Sequence, residues 1–165
     1  MAGALVGMNI LVSGGGTGIG RACAHKLVQD GARVTICGRT EETLAASAAG
    51  IESAGLPGNI QWLVGDITVE ADVDAIVAGA ANEDGELHGV IANAGGGGMP
   101  MPYGKLDTDE FMRVLNLNVL GTMLCMKYAI APMQRAGGGS FVGMSSIAGQ
   151  ITHPFFHAYC AGKAG

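Results

Sequence analysis

The chain has 165 residues, 48% of them hydrophobic and 14% charged, which suits one domain with a sizeable core and excludes a disordered chain. Its formal charge is −5, and the nine lysines and arginines form no basic stripe, which argues against nucleic acid as a partner. The four cysteines and four histidines show no paired spacing, so reduced thiols in a cytoplasmic protein are expected, with no disulfide framework and no metal site.

Apolar strands and helical repeats alternate along the chain. The uncharged N-terminal stretch has no basic region ahead of its apolar part, which runs straight into glycines, so "MNILVS" (residues 8–13) reads as a first strand and not as a signal peptide. Gly18 to Asp30 has helical spacing, with Ile19, Ala22, Cys23 and Leu27 on one side. "ARVTICG" (32–38) is strand-like, and 40–55 is a helix with Thr40 at its N-cap. A third strand covers 59–66, a helix 69–85, and a fourth strand 87–95. Asp107 to Ala136 reads as one or two helices, with Leu115, Val119, Met123, Met126, Ile130 and Met133 forming a stripe suited to core or to a subunit interface. A fifth strand is expected over 138–146 and a last helix from His157 or Tyr159. The uncharged stretch from Ala136 to Gly162 is broken by Gly, Pro, Ser and His, so no membrane span is expected there. The alternation predicts an α/β fold with a parallel sheet covered on both faces.

Two stretches point to chemistry. The strict GxGxxG pattern is absent, but Gly14, Gly18, Ile19 and Gly20 lie between a strand and a helix, where glycines let a pyrophosphate approach the helix N-terminus. Near the end, Tyr159 stands four residues before Lys163 in "YCAGK". On a helix both side chains share a face, and an ammonium beside a phenol favours the phenolate, as a general acid/base requires.

With "GDIT" after the third strand, "ANAG" after the fourth, "LNLNVLGT" in the long helix and "SSIAG" after the fifth strand, the chain resembles the short-chain dehydrogenase/reductase family over its whole length. The resemblance implies a Rossmann-like, doubly wound sheet in a single dinucleotide-binding domain, 1–165. It also implies hydride transfer between a nicotinamide coenzyme and a secondary alcohol or ketone. Carried over by position, Tyr159 is the general acid/base, Lys163 lowers its pKa and binds the nicotinamide ribose, Ser146 holds the substrate oxygen, and Asn118 holds a water of the proton relay. Ser13, Gly14, Thr17, Gly18, Ile19 and Gly20 form the coenzyme loop. Asp66 and Ile67 border the adenine, while Asn93, Ala94 and Gly95 line the coenzyme. The family's helix-pairing surface implies a homodimer or homotetramer through Leu115, Met126 and Ile130.

Ser13, Ala92 and Gly162 depart from the family's usual residues without removing a catalytic group. Family members also continue well beyond the Tyr-Lys pair, so the chain is expected to lack the C-terminal part of the fold, with Lys163 on a frayed helix end. Twenty positions after Gly18, where NAD enzymes carry an acid for the ribose hydroxyl, stand Gly38, Arg39 and Thr40. A guanidinium there suits a 2′-phosphate, which favours NADP(H), with NAD(H) as the alternative. Two rival functions share these features: a related NAD-using epimerase or dehydratase, and a non-catalytic nucleotide-binding or assembly module.

Overall fold

The computed structural model describes residues 3–165. Five strands, β1 (Asn9–Ser13), β2 (Arg33–Gly38), β3 (Asn59–Val64), β4 (Gly89–Ala92) and β5 (Ser140–Gly143), form one sheet in the order β3-β2-β1-β4-β5. Every pairing is parallel, with Leu11 of β1 set between Thr35 of β2 and Val90 of β4. Helices α1 (Gly18–Gln29), α2 (Glu41–Glu52), α3 (Glu70–Ala80), α4 (Thr108–Leu115), α5 (Gly121–Arg135) and α6 (His157–Ala164) connect or follow the strands.

The period-two alternation of a strand divides the core in two. Leu11 faces one side of the sheet and packs with Val73, Ile76 and Val77 of α3 and with Leu124, Cys125 and Ala129 of α5. Ile10 and Val12 face the other side and pack with Ala24 and Val28 of α1 and with Leu44 and Ile51 of α2. All five residues of β1 are buried, as expected of a central strand in a sheet covered on both faces.

Several elements are shorter than their sequence patterns. β4 ends at Ala92 because the Asn93 N–H turns to the Ser13 hydroxyl, 3.1 Å away. α3 ends at Ala80, and Asn82 closes a separate turn by accepting from the Glu86 N–H and donating to its carboxylate. Thr40 occupies the N-cap position of α2, but its side chain makes no cap bond.

The long helical region is continuous, with a π turn at Asn116–Leu120 between α4 and α5. Its buried stripe is Val114, Asn118, Gly121, Leu124, Cys125, Ala129 and Pro132; of the methionine stripe Met133 packs against the same core, whereas Met123, Met126 and Ile130 are exposed. Met126 and Ile130 are 46% and 51% exposed. The expectation of core is thereby corrected for these residues. The helix is apolar on two neighbouring faces about 100° apart, and the one with smaller side chains lies against the sheet. By length and composition Thr108–Arg135 could cross a membrane, but Leu124, Cys125 and Ala129 pack on the sheet as those of a core helix do.

Candidate active site

In a doubly wound sheet, ligands bind beyond the C-terminal strand ends, where the strand order reverses. Here the reversal lies between β1 and β4. A cleft of about 570 Å3 opens at that point.

Its floor is the turn from β1 into α1, where Gly14, Thr17, Gly18 and Ile19 line the cleft. α1 can come this close to the sheet because residue 20 is glycine. A Cβ there would stand 2.3 Å from the Gly14 carbonyl oxygen and 2.6 Å from Asn93 Nδ2. The first turn of α1 carries no acidic residue, and Thr17 makes no side-chain cap bond. Those N–H groups are thus left for an anion. The first turns of α2 and α3, by contrast, carry Glu41 and Glu42, and Glu70 and Asp72. This donor set fits the phosphates of a dinucleotide.

Arg39, Thr40, Asp66, Ile67, Asn93, Ala94 and Gly95 also line the cleft. Asp66 forms an Asx turn, its Oδ1 accepting from the Thr68 N–H and hydroxyl at 2.9 and 2.8 Å. Arg39 Nη1 lies 3.8 Å from Asp66 Oδ2. Asn93 Nδ2 donates to the Ser13 and Gly14 carbonyls and so ties the β1 and β4 ends together.

At the other end of the cleft stand Ser146, Tyr159 and Lys163. Ser146 caps a short 3-10 turn, its Oγ accepting from the Ala148 N–H at 3.2 Å. Tyr159 and Lys163 share a face of α6, with Lys163 Nζ 5.9 Å from the Tyr159 ring centre. Lys163 is not frayed, which corrects that expectation. Its Nζ donates to the Met144 carbonyl at 2.6 Å, and its own carbonyl accepts from Ser145 Oγ at 3.1 Å. Burial holds the Lys163 pKa below the usual lysine value.

Three expected site residues lie behind the cleft wall. The Ser13 hydroxyl is fully buried and accepts from the N–H groups of Asn93 and Ala94. Gly20 is buried by the close approach just described. Asn118 sits in the π turn with both amide hydrogens taken, one by the Gly96 carbonyl and one by Val114. Ser13 and Asn118 thus turn their side chains into the protein, and Gly20 offers the cleft only its backbone. A Cβ on Gly95 would stand 2.7 Å from Asn118 Oδ1 and 3.1 Å from Lys163 Nζ. Glycine at 95 therefore lets the three elements meet.

Sequence reasoning missed Thr43, Gly96 and Leu117, and did not single out Gly65 and Met144 within the strand ends; all five line the cleft. Gly65 and Met144 were within reach, because each immediately follows the last residue of a strand in the sheet. Met144 acts through its main-chain carbonyl, which no residue pattern announces.

A family model described as short-chain dehydrogenase matches residues 8–165. The chain is 36% identical over 160 residues to 2,5-dichloro-2,5-cyclohexadiene-1,4-diol dehydrogenase of Sphingobium indicum, covering 96% of this chain and 62% of the relative. Among solved structures, a short-chain type dehydrogenase/reductase from Mycobacterium ulcerans superposes with a TM-score of 0.92 at 40% identity, covering 97% of this chain and 58% of that one. An NAD+-bound xylitol dehydrogenase superposes with a TM-score of 0.91 at 28% identity, covering 98% of this chain and 61% of that one. The chain belongs to the short-chain dehydrogenase family. It spans about three fifths of the length of the relatives it matches.

Proposed function

We propose that this chain carries the coenzyme-binding and catalytic core of an NAD(P)(H)-dependent oxidoreductase acting on a secondary alcohol or ketone. One observation carries the reading: Ser146, Tyr159 and Lys163 line the same cleft as the glycine turn at the head of α1. A bound nicotinamide coenzyme supplies or accepts the hydride. Tyr159 gives a proton to the substrate oxygen in reduction and takes it in oxidation, while Ser146 donates a hydrogen bond to that oxygen. The Lys163 cation stabilises phenolate character on Tyr159 and offers hydrogen-bond donors toward the ribose. Ser13, Gly20 and Asn118 position the loops that do this.

NADP(H) is the favoured coenzyme, because Arg39 offers an exposed guanidinium at the cleft edge and no carboxylate stands at the end of β2. The exposed Met126 and Ile130, with the half-buried Leu115 about three turns earlier along the same helical region, support pairing into a dimer or tetramer. Free thiols at Cys37 and Cys125 support a reducing, cytoplasmic setting.

The test is Tyr159→Phe, which keeps the ring and removes the acid/base oxygen. Coenzyme turnover with a panel of ketones should fall by at least about a hundredfold, while coenzyme binding by fluorescence titration stays unchanged. Retention of most of kcat would show that the proton donor lies elsewhere.

A further inference from the structure

A second cavity of about 280 Å3 adjoins the cleft and shares Arg39, Asp66 and Leu117 with it. Arg39 and Asp66 therefore stand on the boundary between the two. Their 3.8 Å separation is an ion-pair distance, beyond a direct hydrogen bond. The Asp66 carboxylate is held in place, because Thr68 bonds its Oδ1 twice and leaves Oδ2 toward the guanidinium. Arg39 is 65% exposed and Asp66 30%, so the pair is loosely held. Arg113, the other cation on the smaller cavity, is already bound by Glu110 at 2.6 and 2.8 Å.

We propose that Asp66 is a specificity-determining residue for the coenzyme, competing with a ribose 2′-phosphate for the Arg39 guanidinium. The proposal rests on the reading of Arg39 as the phosphate-binding residue. A phosphate dianion at Arg39 must draw the guanidinium from Asp66 or share it, and it meets the repulsion of the same carboxylate. Both effects weaken binding of the phosphorylated ribose. Neither acts on a neutral ribose hydroxyl. Asp66 thus narrows the gap between the two coenzymes that Arg39 alone would open.

Calorimetric titration with 2′,5′-ADP and with 5′-AMP separates these effects from turnover. Asp66→Asn keeps an acceptor for Thr68 and removes the charge, and Asp66→Ser serves as a second uncharged variant. Because Asp66 also lines the cleft where the adenine is expected, the readout is the ratio of the two affinities: either variant should raise the 2′,5′-ADP to 5′-AMP affinity ratio about three- to tenfold, whatever common change both ligands undergo. The gain should vanish in an Arg39→Ala background and shrink at high salt. An unchanged ratio, equal weakening of both ligands included, or the same rise without Arg39 would each overturn the proposal. If Arg39→Ala alone does not weaken 2′,5′-ADP, the coenzyme reading falls and takes this proposal with it. If Arg39→Ala weakens it while the Asp66 variants change nothing, the coenzyme reading stands and only the competition is refuted.

Discussion

Lys163 reaches from α6 to the end of β5, where its Nζ donates to the Met144 carbonyl at 2.6 Å. The ammonium is thereby held beside Tyr159, and the same enclosure lowers its pKa. Between the folded value and the usual 10.5, the unfolded chain holds a proton that the folded chain has lost. Stability therefore rises with pH across that window, and below it the buried charge is a constant cost. Lys163→Met should abolish most turnover while leaving Tm near pH 7 equal or higher. Any gain in Tm should disappear as the pH approaches the usual lysine value. Scanning calorimetry across pH checks this; a fall of several degrees near pH 7 would mean that the bond to Met144 outweighs the burial cost.

Gly95→Ala should separate catalysis from folding. The added methyl would press on Asn118 Oδ1 and Lys163 Nζ, not on apolar core. Asn118 is fixed by its bonds to Gly96 and Val114, so Lys163 is the group that gives way. Steady-state kinetics should show kcat falling by more than tenfold, with circular dichroism unchanged. A variant with wild-type kcat would show that the ammonium position tolerates the shift.

Ser13→Ala should cost stability by loosening the Asn93–Ala94 backbone at the cleft wall. The Asn93 N–H keeps a second acceptor in the Ile91 carbonyl at 3.0 Å, but the Ala94 N–H loses the Ser13 hydroxyl. An orphaned donor costs about 1–3 kcal/mol when fully buried, and the part-buried Ala94 N–H sets the loss toward the lower end of that range. Urea unfolding should give a loss in that range. A loss below about 0.5 kcal/mol would mean that the loop re-satisfies the N–H on its own.

The buried thiols make a pH prediction with the opposite sign to that of Lys163. Burial pushes Cys37 up to about 12 and Cys125 up to about 11, from an ordinary 9.0. Above the ordinary value the unfolded chain ionises first, so these two groups make stability fall as pH rises from 9.0 toward their folded values. The native protein should also react with a thiol reagent at the half-exposed Cys23 and Cys160 before Cys37 and Cys125. Peptide mapping that found Cys37 modified as fast as Cys160 would contradict the burial.

The strands and the site order were legible because they rest on local patterns. Apolar runs bounded by glycine mark β1 and β2, and the spacing of Tyr159 and Lys163 is itself a helical geometry. The supporting roles were not legible. That Ser13 turns inward depends on where β4 ends, some eighty residues later. Which face of α5 meets the sheet was equally hidden, since both the methionine stripe and the Leu124, Cys125 and Ala129 stripe satisfy the helical period. Only tertiary packing decides between them.

The pairing of β1 with β4 has a kinetic consequence. Ser13 and Asn93 are 80 residues apart in sequence, yet their bonds join the glycine turn to the far half of the cleft. An all-parallel sheet has no hairpins to bring distant strands together stepwise. Closing so long a loop has an entropic cost that must be met before its contacts return anything, and such non-local pairings slow folding. During synthesis, β1, β2 and β3 can be made and paired while the coenzyme floor is still only half present, and it is completed when β4 emerges and docks beside β1. A nucleotide added to the refolding chain therefore finds its site only after that docking step, and would stabilise the docked state without speeding the approach to it.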